Sequence, residues 1–132
     1  MAYSPHKIFI SYSHDQVPFV SAVADELRLQ GVDSWFEEAR LLAGAQWRES
    51  MANALASSKV VVVFLGARTQ SPWMNFEIGA AVGGEKPVVP VYLTEAARQG
   101  APSLLSHFVG IDAHDQKPDE VAQQIADVIR SA

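Results

Sequence analysis

Short apolar runs alternate along the chain with longer stretches in which apolar positions recur every three or four residues. Residues 7–12, Lys-Ile-Phe-Ile-Ser-Tyr, are β-rich and follow Pro5, which predicts a first strand. A polar loop over 13–16 precedes Phe19, Val20, Val23, Ala24, Leu27 and Leu29, which recur at helical spacing until Gly31. A second short strand is expected over 32–36. A loop over 37–46 follows, then a helix over 47–58 with Trp47, Met51, Ala54 and Leu55 on one face. In the third strand, 59–65, four consecutive valines run into Phe64 and Leu65 without polar alternation, as in a strand covered on both faces. Ser71 and Pro72 suit the N-cap and first position of a third helix, which Gly83 and Gly84 close. A fourth strand is expected over 87–93, where Pro87 and Pro90 fit a central position poorly. The remainder predicts a connection over 94–107 with a short helix, a fifth strand over 108–112, and a helix over 119–130. Val121, Ile125, Val128 and Ile129 form the inner face of that last helix.

Strand–helix alternation of this kind builds a parallel sheet with right-handed crossovers. The expected fold is α/β: a flavodoxin-like, doubly wound, five-stranded parallel sheet with strand order 2-1-3-4-5. All 132 residues form a single domain, with no repeat, low-complexity stretch or linker. In such sheets ligands bind beyond the carboxyl ends of the strands. That places a site near residues 11–15, the 37–46 loop and the start of the third helix.

Composition narrows the chemistry. The chain is 48% hydrophobic and 19% charged, as globular domains are, and it has no cysteine. Disulfides, thiolate nucleophiles and cysteine-based zinc sites are thereby excluded. The net charge of −5, with Lys7, Lys59, Lys86 and Lys117 scattered, argues against direct nucleic-acid binding. His6, His14, His107 and His114 have no metal-ligand spacing, so no metal is expected. The first residues do not read as a secretory signal, and no apolar run is long enough to span a bilayer. The expectation is a soluble, cytoplasmic chain with no membrane partner, or one domain of a larger protein. Neither a Gly-x-Gly-x-x-Gly loop nor a Walker lysine follows the first strand, so a nucleotide would not be held by a Rossmann or P-loop cradle. The third strand ends in Leu65-Gly66, without the aspartate that a phospho-acceptor receiver domain requires.

The third predicted helix carries the sharpest chemical signal. Between residues 73 and 84 the only charged side chain is Glu77, four positions after Trp73 and so on the same helical face. Near the helix N-terminus the dipole favours a carboxylate. Two readings fit the spacing. Trp73 is a core or subunit-contact residue and Glu77 bridges to an arginine; or the indole stacks on a flat, cationic heterocycle attached to a sugar. In the second reading the carboxylate stabilises the charge that develops as a glycosidic bond breaks.

Four segments in order resemble TIR domains. Residues 8–13, Ile-Phe-Ile-Ser-Tyr-Ser, resemble the opening strand of that family. Trp35-Phe36-Glu37 with Leu42-x-Gly44-x-x-Trp47-Arg48 resembles its second strand and following "BB" loop. Residues 60–65 resemble its third strand, and Ser71-x-Trp73-x-x-x-Glu77-Ile78-Gly79-Ala80-Ala81 its third helix. The likeness covers about residues 6–93; beyond Thr94 only the pattern matches. Family members with glutamate at the Glu77 position hydrolyse or cyclise NAD⁺, and several prokaryotic ones serve in antiphage defence. The resemblance therefore implies NAD⁺ as substrate, with no separate cofactor. It implies Glu77 as the catalytic residue, Trp73 flanking the nicotinamide, and Ser11, Tyr12, Ser13, Phe36, Arg40 and Leu42 lining the cleft. His14-Asp15 leaves no arginine directly after the first strand, so Arg40 or backbone amides would meet the phosphates. It also implies a homo-oligomer built through TIR–TIR contacts, to which the apolar loop residues Leu41 and Leu42 contribute, and a sensor domain or partner protein as trigger. The alternative is a non-catalytic scaffold that signals by TIR–TIR association.

Overall fold

In the computed structural model five strands pair in parallel: β1 (Ile8–Ser11), β2 (Ser34–Trp35), β3 (Val60–Leu65), β4 (Val88–Tyr92) and β5 (Ile111–Asp112). The structure describes residues 8–12, 16–35, 53–66, 79, 84, 86–101, 105 and 108–131. The strand order is β2-β1-β3-β4-β5, the flavodoxin-like layout expected from the strand–helix alternation. Among the described residues, α1 (Val17–Leu29), α2 (Glu95–Gln99) and α3 (Pro118–Ser131) accompany the strands. Residues 53–57 are also helical; Trp47, Met51 and the predicted third helix starting at Ser71 lie outside the described residues, apart from Gly79, which is helical.

β3 lies at the middle of the sheet, and every one of its residues is buried. Val60, Val62 and Phe64 point into a cluster with Ile8, Ile10 and the inner faces of α1 and α3. Val61, Val63 and Leu65 point the other way, into a cluster with Phe9, Trp35, Ala54 and Leu105. The unbroken apolar run thus supplies both layers of core, and burial of each large side chain contributes roughly 1.5–3 kcal/mol. β1 runs beside it in register, Ile8 opposite Val60 and Ser11 opposite Val63.

Local chemistry sets the ends of the helices. Gly31, at φ +80°, closes α1; its N–H donates to Arg28 O at 3.0 Å and the N–H of Val32 to Leu27 O at 2.9 Å. Thr94 caps α2 by accepting from the Ala97 N–H at 3.0 Å. In α3, Asp119 and Glu120 occupy the first turn, and Glu120 accepts from the Lys117 N–H at 2.9 Å. At the amino-terminal side of the sheet, Lys86 Nζ donates to the carbonyls of Ala56 at 3.1 Å and Ser58 at 2.8 Å. This ties the segment entering β4 to the one entering β3.

Several details depart from the sequence reading. β4 is an inner strand despite Pro90. In a parallel ladder alternate residues turn their backbone groups to opposite neighbours. Leu93 N–H reaches Leu65 O, whereas Tyr92 O accepts from Ala113 N–H. Pro90 shares the side of Tyr92, facing β5, and pairing with β5 begins only at Val91. No ladder bond is therefore lost at the proline. β2 and β5 are shorter than expected, with two residues each. Val109, assigned to the fifth strand, is 92% exposed. Leu29, counted in the helical spacing of the first helix, and Val128, assigned to the inner face of the last, are 81% and 40% exposed. Leu29 is two residues past Leu27 and so on nearly the opposite side of the helix, while Ala122 and Ala126 are buried on α3 in place of Val128.

Candidate functional site

The order of the strands puts a topological switch point between β1 and β3. From β1 the chain passes through α1 to β2 on one side, while β3 flanks β1 on the other. Connections therefore diverge at the carboxyl ends of β1 and β3, the position at which open α/β sheets hold ligands.

Residues 8–12 deliver two of the sequence-derived candidates to this point. Ser11 ends β1 and is only 1% exposed. Strand alternation puts it on the side of Phe9, the Trp35 layer. Tyr12 is half-buried and packs against the opposite cluster, that of α1 and α3. Neighbours in sequence thus serve opposite faces of the sheet. Ser13, Phe36, Arg40, Leu42, Trp73 and Glu77 lie outside the described residues. Trp35, which precedes Phe36, is stacked on Phe9 with ring centroids 4.9 Å apart and planes 8° from parallel. This anchors the carboxyl end of β2. Among the described residues no group of three or more His, Cys, Asp or Glu side chains could hold a metal. Nor is any helix among them long and apolar enough to cross a membrane.

Two features of the carboxyl edge escaped the sequence reading. Gln16, read as part of a polar loop, is 7% exposed and stands at the N-cap of α1 without making a side-chain cap. Its amide lies over Gly66, the residue that leaves β3: a Cβ on Gly66 would come within 2.7 Å of Gln16 Nε2. Pro18, in the first turn of α1, was the available signal that residue 16 is the cap. The second feature lies at the ends of β4 and β5. Arg98 of α2 sits 4.5 Å from the centroid of the Tyr92 ring and donates from Nε to Asp112 Oδ1 at 2.8 Å. The hydrogen bond to Asp112, ahead of opposing desolvation, holds the Arg98 guanidinium above its ordinary range. A raised arginine keeps its contribution below that range and loses it only as pH climbs through the raised value. Arg98 therefore adds no pH dependence around neutrality.

The arrangement brings strand ends, one buried carboxamide and one half-buried phenol together at the switch point of the sheet. Comparison with known proteins bears on what family builds this. A model of the TIR domain matches residues 8–128. The 2' cyclic ADP-D-ribose synthase AbTIR of Acinetobacter baumannii (strain 1295743) is 29% identical over 132 residues, 94% of this chain and 49% of its own length. The NAD(+) hydrolase TcpA of a Theionarchaea archaeon (strain DG-70-1) is 29% identical over 133 residues, 95% of this chain and 40% of its own. The chain thus spans less than half the length of the curated relatives it matches. Among solved structures, a metazoan TIR-STING receptor from C. gigas aligns with a TM-score of 0.75 at 25% identity, over 98% of this chain and 41% of its own. The TIR domain of the Toll-related receptor TRR-2 of Hydra magnipapillata shares the fold with a TM-score of 0.72 at 14% identity, over 95% and 98% of the two chains. With its five-stranded order and a family match that runs from β1 into α3, the chain belongs to the TIR domain family.

Proposed function

We propose that this domain cleaves the bond between nicotinamide and ribose in NAD⁺, with Glu77 as its catalytic residue. The observation that carries the proposal is the 29% identity, over nearly the whole chain, to two relatives named for making a cyclic ADP-ribose and for hydrolysing NAD⁺. The lone carboxylate of residues 73–84, four positions after an indole, supplies chemistry to match.

NAD⁺ enters the crevice with its nicotinamide beside Trp73 and its ribose at Glu77. Tyr12, Ser13, Phe36, Arg40 and Leu42 line the cleft, and Ser11, buried as it is, supports the floor. The C1′–N bond breaks with its electron pair going to the pyridine nitrogen. Because that nitrogen is already cationic, nicotinamide departs neutral and no general acid is needed. The oxocarbenium-like ribose that remains is stabilised by the Glu77 carboxylate. Water attacks C1′ and loses a proton, giving ADP-ribose; attack by adenine N1 or a ribose hydroxyl instead gives a cyclic product. Exclusion of water from the cleft decides between them. NAD⁺ is the substrate, and the reaction needs no metal or redox cofactor. Association with further copies of the domain completes the cleft, and a sensor domain or partner protein in the cytoplasm triggers it.

The test is nicotinamide release from NAD⁺ by concentrated protein, with Glu77→Ala beside the parent. Release by the parent and none by the variant, with the same thermal unfolding, is the expected result. Turnover retained in Glu77→Ala would refute the assignment. No turnover by the parent at any concentration would favour the non-catalytic scaffold.

A further inference from the structure

We infer that Arg98, lying over Tyr92 and held by Asp112, is a binding platform on which the adenine end of the dinucleotide stacks. The inference rests on the NAD⁺-cleaving reading and gives the substrate a second point of contact.

Tyr92 and Asp112 are the last residues of β4 and β5 and stand opposite one another in the ladder. Both therefore lie on the carboxyl rim, where open α/β sheets hold ligands. Arg98 reaches them from α2. Its Cζ is 4.5 Å from the centroid of the Tyr92 ring, and Nε and a terminal nitrogen both meet Asp112 Oδ1, at 2.8 and 2.6 Å. The tyrosine is itself wedged: it is 6% exposed, and the edge of its ring leaves no room for a side chain on Gly110. A side chain that is ordinarily mobile is thus held by a ring and a carboxylate, while 44% of it stays open to solvent. A guanidinium fixed in this way is a flat, weakly hydrated cation, and such planes stack on nucleobases. Adenine fits it, being flat, neutral and rich in π electrons. The nicotinamide ring does not, because a cationic pyridinium on a guanidinium sets two like charges face to face. The platform therefore discriminates between the two ends of the dinucleotide. It also stands at a suitable remove. From the switch point between β1 and β3 to the gap between β4 and β5 is two strand spacings, roughly 10 Å. Two riboses and a pyrophosphate bridge such a span.

An exposed ion pair adds little to stability, so variants of Arg98 are expected to unfold close to the parent's midpoint. Arg98→Ala should raise the KM for NAD⁺ about tenfold, with kcat for nicotinamide release within about twofold. Arg98→Lys keeps the charge but has no plane, and should be impaired to a similar extent. Asp112→Ala should raise KM less than Arg98→Ala does, because Asp112 acts by holding the guanidinium in place. The double variant Arg98→Ala/Asp112→Ala should lose no more than Arg98→Ala alone. A parental KM in Arg98→Ala, full recovery in Arg98→Lys, or losses that multiply in the double variant would overturn the inference. Titration with ADP, which carries the adenine without the nicotinamide, gives a readout independent of turnover. Binding by the parent and a Kd about tenfold weaker in Arg98→Ala are expected. No binding of ADP by the parent, or equal binding by the two, would end the proposal. If the parent releases no more nicotinamide than Glu77→Ala, the NAD⁺ reading fails, and the ADP titration still decides the platform.

Discussion

A hydrogen atom stands in for a side chain at Gly110, where the chain enters β5. A Cβ there would strike the edge of the Tyr92 ring and lie 3.1 Å from the Pro90 carbonyl. Tyr92 cannot yield freely, since Arg98 lies over its face at 4.5 Å and is itself held by Asp112. Gly110→Ala should therefore destabilise the protein by about 1–3 kcal/mol, read as a lower denaturant midpoint with an unchanged slope. Individual residues are also where the sequence was hardest to read. Leu29 and Val109 are apolar yet exposed, because hydrophobicity alone does not say which way a side chain turns. The Gln16–Gly66 contact was illegible for another reason: it joins positions far apart in sequence and depends on a missing side chain. Glu77 and Trp73 lie outside the described residues; in the sequence they stand out because one carboxylate is conspicuous in a nearly uncharged stretch.

Among the elements, β3 dominates. Alternate residues of this strand feed both layers of core, so its valines could be read as a doubly covered strand before any coordinates. Phe64→Ala should cost about 3–5 kcal/mol, because it removes a fully buried ring that also braces Phe19; chemical denaturation measures it. β4 was less legible. Proline normally marks an edge, and only the late start of β5 lets Pro90 stay inside the sheet. The extent of β5 could not be read either, since Phe108 and Val109 continue its apolar run while the pairing is confined to Ile111 and Asp112.

For the molecule as a whole, strand order and the position of its switch point followed from the alternation of apolar runs, because right-handed crossovers leave few topologies open. Under the proposed function the isolated domain should be sluggish when dilute. Nicotinamide release per mole should rise with protein concentration, and a rate that stays flat over a hundredfold range, as an order-of-magnitude test, would speak against completion of the cleft by a neighbouring copy. The two rims of the sheet are built for different tasks. At the opposite rim from the strands' carboxyl ends, the Lys86 ammonium grips two carbonyls at 3.1 and 2.8 Å and staples the approaches to β3 and β4 together. Because that clasp stands a full strand's length from the carboxyl ends, where the proposed function places its site, cutting it with Lys86→Ala should cost about 1 kcal/mol of stability and leave nicotinamide release per molecule alone. Wear on one rim would shorten the domain's life, and, under the proposed function, only wear on the other would change its trade.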